Sequence, residues 1–208
     1  MKSDKYGWVN SNPTCAHSYL LPNVLKLLKS KSGDNQIRIL DLGCGNGYVA
    51  SKLADLGHNV IALDASADGI EIAMKHYSKV RFEHFSIYED LLEKVVGSKV
   101  DCVVSLEVIE HLYYPKKLLE QSFNILKPNG FLILSTPYHG YLKSLCTSIL
   151  NRWDRHFSVH WEGGHIKFFS KRALMDMARV AGFRRFGIYG VGRLPWLWKS
   201  MIMIATKT

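Results

Sequence analysis

An apolar strand that runs straight into a glycine turn constrains this chain more than any other feature. Ile39-Leu40-Asp41-Leu42 is followed by Gly43-Cys44-Gly45-Asn46-Gly47, and an amphipathic stretch from Tyr48 to Leu56 comes next. Gly43, Gly45 and Gly47 permit positive φ and carry no Cβ, so a ligand is expected to lie against bare backbone there. The next apolar run, Asn59-Val60-Ile61-Ala62-Leu63, closes on Asp64. In open α/β sheets an acid about twenty residues past the glycine turn receives the hydroxyls of a ribose. Strand, turn, helix and terminal acid together predict a site for an adenosine-bearing cofactor.

The rest of the chain alternates short apolar strands with amphipathic helices, the pattern of a doubly wound α/β sheet. A helix is expected from Thr14 to Ser30, broken by Ser32-Gly33-Asp34-Asn35. Strands are expected at Ile37–Asp41, Val60–Asp64, Val80–Phe85, Val100–Ser105 and Phe131–Ser135, the last announced by a turn at Lys127-Pro128-Asn129-Gly130. Tyr141, Leu142, Leu145, Cys146, Ile149, Leu150 and Trp153 then recur at helical spacing, with Lys143, Ser144, Ser148 and Arg152 on the other face. A last helix, Lys171 to Ala181, precedes strands at Phe183–Tyr189 and Met201–Thr206. No repeat or linker interrupts residues 1–208, so one domain is expected, with 138–169 inserted after the fifth strand as a lid or substrate-binding segment.

Composition excludes several classes. Hydrophobic content of 47% and charged content of 22% suit a globular chain. Met1 to Asn12 is polar and lacks an apolar signal core, so export is not expected. Cys15, Cys44, Cys102 and Cys146 form no C-x-x-C pair and read as reduced thiols of a cytoplasmic protein. The most apolar stretch, Leu194 to Ala205, is interrupted by Lys199 and falls short of the ~20 residues that span a bilayer. A net charge of +9 and a pI near 9.4 favour anionic partners: nucleic acid, anionic lipid or a phosphorylated substrate.

A second constellation follows the fourth strand, in Ser105-Leu106-Glu107-Val108-Ile109-Glu110-His111. Ligands of parallel sheets sit beyond the carboxyl ends of strands, so this segment should face the same crevice as the glycine turn. If Glu107 opens a helical turn, Glu110 and His111 share its face. Crowded carboxylates need a compensating cation or must hold a proton, so either a divalent ion sits here or one of the three accepts protons. Downstream, Trp161-Glu162-Gly163-Gly164-His165 offers a further imidazole on a bendable backbone. Glu107, Glu110, His111 and His165 would then make a mixed oxygen and nitrogen site, suited to manganese, iron, cobalt or zinc, with magnesium a further candidate. His156 and His160 flank the same stretch, whereas His58, His76 and His84 read as surface or strand-end residues among the nine histidines.

The spacing resembles two known patterns. In the dinucleotide fingerprint G-x-G-x-x-G the third glycine would fall on Tyr48; here it comes one place early, at Gly47. This G-x-G-x-G, with Asp41 two residues ahead of it, resembles the first motif of class I S-adenosylmethionine-dependent methyltransferases. The resemblance implies a seven-stranded, mostly parallel sheet with the last strand antiparallel. It also implies that Asp41 and the Gly43, Cys44, Gly45 and Gly47 backbone hold the methionine end, with Leu106 beneath it. Asp64 would take the ribose, and Ala65 and Phe85-Ser86-Ile87 would border the adenine. No acid precedes Glu89 near Phe85, so adenine would meet backbone groups there.

E-x-x-E-H followed by a later histidine is similar to the ubiquinone-biosynthesis O-methyltransferases and to small-RNA 3′-end methyltransferases. Both include members with a two-glutamate, two-histidine metal set, while many class I enzymes carry E-H without a metal. The expected activity is methyl transfer to an oxygen of a small, apolar or aromatic acceptor. The alternatives are an RNA ribose methyltransferase and a non-catalytic S-adenosylmethionine-binding protein. Lys and Arg are scattered along the chain, so nucleic acid is not the expected partner. The helix from Tyr141 to Trp153 would cover the acceptor pocket, pack on the sheet edge, or rest on an anionic membrane with Lys143 and Arg152 at the head groups.

Overall fold

The computed structural model describes residues 7–90, 92–154 and 164–208. Helix α1 (His17–Ser32) stops at Gly33, whose φ of 62° turns the chain away while its N–H bonds Lys29 O. Strand β1 (Arg38–Leu42), helix α2 (Tyr48–Asp55), strand β2 (Asn59–Asp64), helix α3 (Ala67–His76) and strand β3 (Arg81–His84) form one half. Helix α4 (Leu92–Val96), strand β4 (Val100–Leu106), a 3₁₀ turn (Ile109–His111), helix α5 (Pro115–Ile125) and strand β5 (Leu126–Pro137) follow. Helix α6 (Tyr141–Ile149), helix α7 (Lys171–Val180), strand β6 (Arg185–Val191) and strand β7 (Ser200–Thr206) complete the described elements.

The seven strands lie in the order β3-β2-β1-β4-β5-β7-β6. The first five are parallel, and β7 is antiparallel to both β5 and β6. This is the doubly wound architecture expected from the sequence. Alternation along each strand feeds two cores. Leu40, Leu42 and Val103 face α5 and α7 through Leu118, Leu119, Leu174 and Phe183. Ile39, Cys102 and Val104 face α1, α2 and α3 through Leu20, Val24, Val49, Leu53 and Ile70.

Two local expectations fail. Lys127 to Gly130 is not a turn ahead of the fifth strand; β5 starts at Leu126, which pairs with Val100, and runs through these residues to Pro137. The register shifts between Val100 and Cys102, and Asn129 takes φ 62°. A bulge tolerates the proline, because a bulged residue need not donate to the ladder. Helix α6, in turn, does not pack on the sheet edge: none of its residues is buried, and Tyr141 and Ile149 are 84% and 73% exposed. Among the described residues no helix is long and apolar enough to cross a membrane.

Candidate active site

The glycine turn is held from beneath by one carbonyl. Leu63 O accepts from the N–H of Gly43 at 2.7 Å and of Cys44 at 3.1 Å, so the turn rides on the end of β2. The space that a Cβ would take at each glycine is filled by a neighbouring side chain. A Cβ at Gly43 would meet Val108 Cγ2 at 2.4 Å, and one at Gly45 would meet Trp8 Cζ2 at 2.3 Å. At Gly47 it would meet Ala73 Cβ at 2.7 Å and the Phe82 ring at 2.8 Å. The glycines admit neighbouring side chains at close range. The Gly43–Val108 contact also joins the two sequence motifs, because Val108 lies inside E-x-x-E-H.

Asp41 sits under this turn, 2% exposed, and its Oδ2 has no hydrogen-bond partner. Burial, then the charge of Asp64, push its carboxyl up to about 7, opposed by a bond from the Ala50 backbone. A buried, unpartnered carboxylate oxygen is costly unless a cation meets it. Asp64 accepts at 2.7 Å from Gly45 N with Oδ2 and at 2.7 Å from Ser66 N with Oδ1. Its pKa is raised by burial, with those two bonds opposing.

Ala65 is exposed at the end of β2. Phe85 is buried, its N–H on Asp64 O. The Ser86 N–H is taken by Glu89 Oε1 at 3.1 Å, and Ile87 O accepts from Gln121 Nε2 at 2.6 Å. Leu106, half-buried, packs on the α1 side of the sheet.

Glu107 does not open the helical turn; it takes φ 55°, and the 3₁₀ turn begins at Ile109. That left-handed kink brings its carboxylate to the β5–β7 side. Ser135 Oγ donates to Oε1 at 2.7 Å and Ser200 Oγ donates to Oε2 at 3.2 Å, while Tyr19 Oη lies 3.2 Å from Ser200 Oγ. Burial raises the Glu107 pKa; the two serine bonds and the charge of Lys143 oppose it. Lys143, half-buried, is itself pushed down to about 8 by burial and by Arg193.

Glu110, His111 and His165 come together without Glu107. Their potential ligand atoms all lie within 4.8 Å of one another. Two main-chain bonds, Ile166 N and Lys167 N to Glu110 O at 3.0 Å each, bring the distant segment to the 3₁₀ turn. Glu110 is fully buried, and its carboxylate oxygens make no hydrogen bond of good geometry, with the Thr136 hydroxyl as a weak donor beside them. Burial and then Glu107 drive its pKa well above the ordinary range. His111 Nδ1 faces Gly164 O at 3.2 Å, and the two rings stand edge to face with centroids 4.9 Å apart.

The other histidines divide cleanly. His58 Nδ1 accepts from Ile37 N, His76 Nδ1 meets Ile72 O, and His84 Nε2 meets Ala65 O; each ring bonds main chain. His156, His160, Trp161, Glu162 and Gly163 lie outside the described residues. Sequence reasoning missed Trp8, Asn46, Tyr19, Ser135 and Ser200. Only Trp8, a large aromatic in a mostly polar stretch, carries a sequence signal.

A family profile described as a methyltransferase domain matches residues 16–185. The ubiquinone biosynthesis O-methyltransferase of Ruegeria pomeroyi is 29% identical over 171 residues, covering 78% of this chain and 66% of that protein. Its mitochondrial namesake in Schizosaccharomyces pombe is 37% identical over 120 residues, covering 54% of this chain and 42% of that protein. The chain thus spans less than two thirds of the length of either relative.

Among solved structures, a Pyrococcus horikoshii protein superposes with a TM-score of 0.73 at 18% identity, covering 97% of this chain and 95% of its own. Magnesium protoporphyrin IX methyltransferase of Synechocystis PCC 6803, solved with bound SAH, gives 0.68 at 17% identity over 91% and 82%. These two likenesses establish the fold. With the family profile running over residues 16–185, from α1 to the start of β6, the chain belongs to the methyltransferase-domain family.

Proposed function

We propose that the protein is an S-adenosylmethionine-dependent methyltransferase that methylates an oxygen of a small, apolar or aromatic acceptor. The observation that carries the cofactor reading is Asp41 Oδ2, buried beneath the glycine turn with no partner. An amino-acid ammonium group is the cation that such an oxygen fits, and S-adenosylmethionine brings one. Asp64, held by Gly45 N and Ser66 N, keeps lone pairs for the ribose hydroxyls. Phe85 and Ile87 would form an apolar border for adenine. When bound, S-adenosylmethionine supplies a methyl group activated by its sulfonium centre.

The chain's own contribution is positioning and a proton acceptor. Holding two reactants in line replaces a bimolecular encounter and can be worth about 7–11 kcal/mol. An acceptor hydroxyl must also lose its proton, for which an imidazole nitrogen is suited. His165 Nε2, more exposed than His111, is the atom placed to take it. Alternatively, with His165 as a ligand instead of a base, Glu110, His111 and His165 would hold a divalent ion, with Glu107 behind them and not among the ligands. Such an ion would lower the pKa of a hydroxyl brought to it. Two relatives in sequence are named for ubiquinone biosynthesis, which favours a hydroxylated aromatic ring as acceptor.

Calorimetric titration with S-adenosylmethionine and with NAD tests the cofactor. Release of S-adenosylhomocysteine in the presence of catechol-type acceptors tests the reaction. Release only with RNA would move the acceptor to a terminal ribose, and cofactor binding without release on any acceptor would support the non-catalytic alternative. The exposed apolar residues of α6 and the neighbouring Arg152 support contact with an anionic membrane surface, whereas Lys143 Nζ turns inward to Tyr138 O.

A further inference from the structure

Trp8 belongs to no element of the sheet, yet its ring lies between the two glycines nearest Asp64. A Cβ at Gly45 would come within 2.3 Å of Trp8 Cζ2 and 2.9 Å of Cε2. A Cβ at Gly69, in the first turn of α3, would meet Trp8 Cδ1 at 3.0 Å and Gly45 O at 2.8 Å. Only glycine at both positions leaves room for the indole. The segment that carries it is tied down at two further points. Asn46, buried inside the glycine turn, spends both amide hydrogens on Asn10 O and Asn12 O, each at 2.9 Å. Tyr77 Oη, just beyond α3, donates to Ser11 O at 2.8 Å.

The wedge acts on an atom that the cofactor site needs. Gly45 N donates at 2.7 Å to Asp64 Oδ2, the only backbone bond on that oxygen among the described residues. Gly45 has φ 54°, and a glycine with open space beside it samples both signs of φ. The indole removes that freedom on one side. With Gly45 fixed, the Asp64 carboxylate is fixed by two amides, one from each side, before any ligand arrives. Pre-set geometry of this kind raises affinity by cutting the ordering cost of binding.

We propose that Trp8 is a positioning residue of the cofactor site: it holds the Gly45 amide on Asp64, and so presets the carboxylate that receives the ribose. The inference rests on the reading of S-adenosylmethionine as cofactor. Trp8 → Gly45 → Asp64 is a chain of contacts, so Trp8 acts through the loop. A ring that merely packs would lower the melting temperature and leave both the Gly45 amide and the affinity untouched.

The experiment measures S-adenosylmethionine affinity by calorimetry and hydrogen exchange of the Gly45 amide by NMR, in wild type, W8A, W8F and Y77F. W8A is expected to bind at least about tenfold more weakly, a loss that corresponds to about 1.4 kcal/mol. Its Gly45 amide should exchange faster while the Val103 amide in β4 keeps its protection. W8F, which retains a flat ring, should recover most of the affinity. Y77F removes one hydroxyl and keeps its ring, so it keeps the test open if W8A does not fold; it should show faster Gly45 exchange and weaker binding. Wild-type affinity together with wild-type Gly45 exchange in W8A, or in Y77F where W8A does not fold, overturns the proposal. A wild-type protein that binds no S-adenosylmethionine overturns the cofactor reading and the proposal with it.

Discussion

Oε1 of Glu110 lies 4.0 Å from Nε2 of His111 and 4.0 Å from Nε2 of His165. Gly164 O can only accept, so His111 Nδ1 carries a hydrogen and Nε2 is the ring atom turned toward the carboxyl. Two imidazole nitrogens around a buried carboxyl call for a proton or a cation among them. A proton held within the cluster or a divalent ion meets that need, and a carbonyl behind the imidazole is the arrangement that orients a metal-binding histidine.

Metal addition separates the two. If an ion binds, zinc or manganese at one hundred times its dissociation constant should stabilise the fold by about 2.7 kcal/mol. Thermal melts with and without chelator, and the same melts on E110Q and H165A, provide the check. A melting temperature indifferent to metal in wild type would assign the cluster a proton instead.

The raised pKa of Asp41 makes cofactor affinity depend on pH. Because folding lifts this carboxyl from 3.8 to about 7, its contribution to the ligand-free fold is full below the unfolded value and is lost as pH rises through about 7. An ammonium favours the ionised form, so S-adenosylmethionine affinity should climb roughly tenfold per unit below pH 7 and level off above it. Calorimetry between pH 5.5 and 8.5 measures the slope. D41N should bind weakly with no slope, and a flat wild-type profile would remove Asp41 from the ammonium site.

Gly47 and Gly57 share positive φ, at 79° and 88°, but differ in surroundings: a Cβ at Gly57 meets nothing within 4 Å. G57A should therefore cost only the left-handed backbone penalty of about 1–2 kcal/mol. G47A adds overpacking against Ala73 and Phe82, about 1–3 kcal/mol more. Urea midpoints of the two variants give the difference directly. Equal losses would mean that Phe82 moves aside freely.

Helix α6 offers a test of the surface. Tyr141, Leu142, Leu145 and Ile149 are all exposed on it. If it rests on an anionic bilayer, the protein should sediment with vesicles rich in phosphatidylglycerol at low salt, and I149E should cut the bound fraction several-fold. Binding that is unchanged in I149E, or absent in wild type, excludes α6 as the contact.

The alternation of strands and helices, the glycine turn and the acid at the end of β2 could all be read in the sequence, because each is a local pattern with a short-range cause. Asp41, Asp64 and the E-x-x-E-H run were legible for the same reason. Tertiary structure decided what those residues face. The left-handed turn at Glu107 sent its carboxylate to Ser135 and Ser200, and two main-chain bonds to Glu110 O brought His165 in from beyond α6. The glycines were visible as glycines, yet the reason for them was not. Val108, Trp8, Ala73 and Phe82 fill the spaces beside them, and all four come from other elements of the chain. Periodicity reports which way a residue points along its own element; what fills the space opposite depends on packing between elements, which no local pattern encodes.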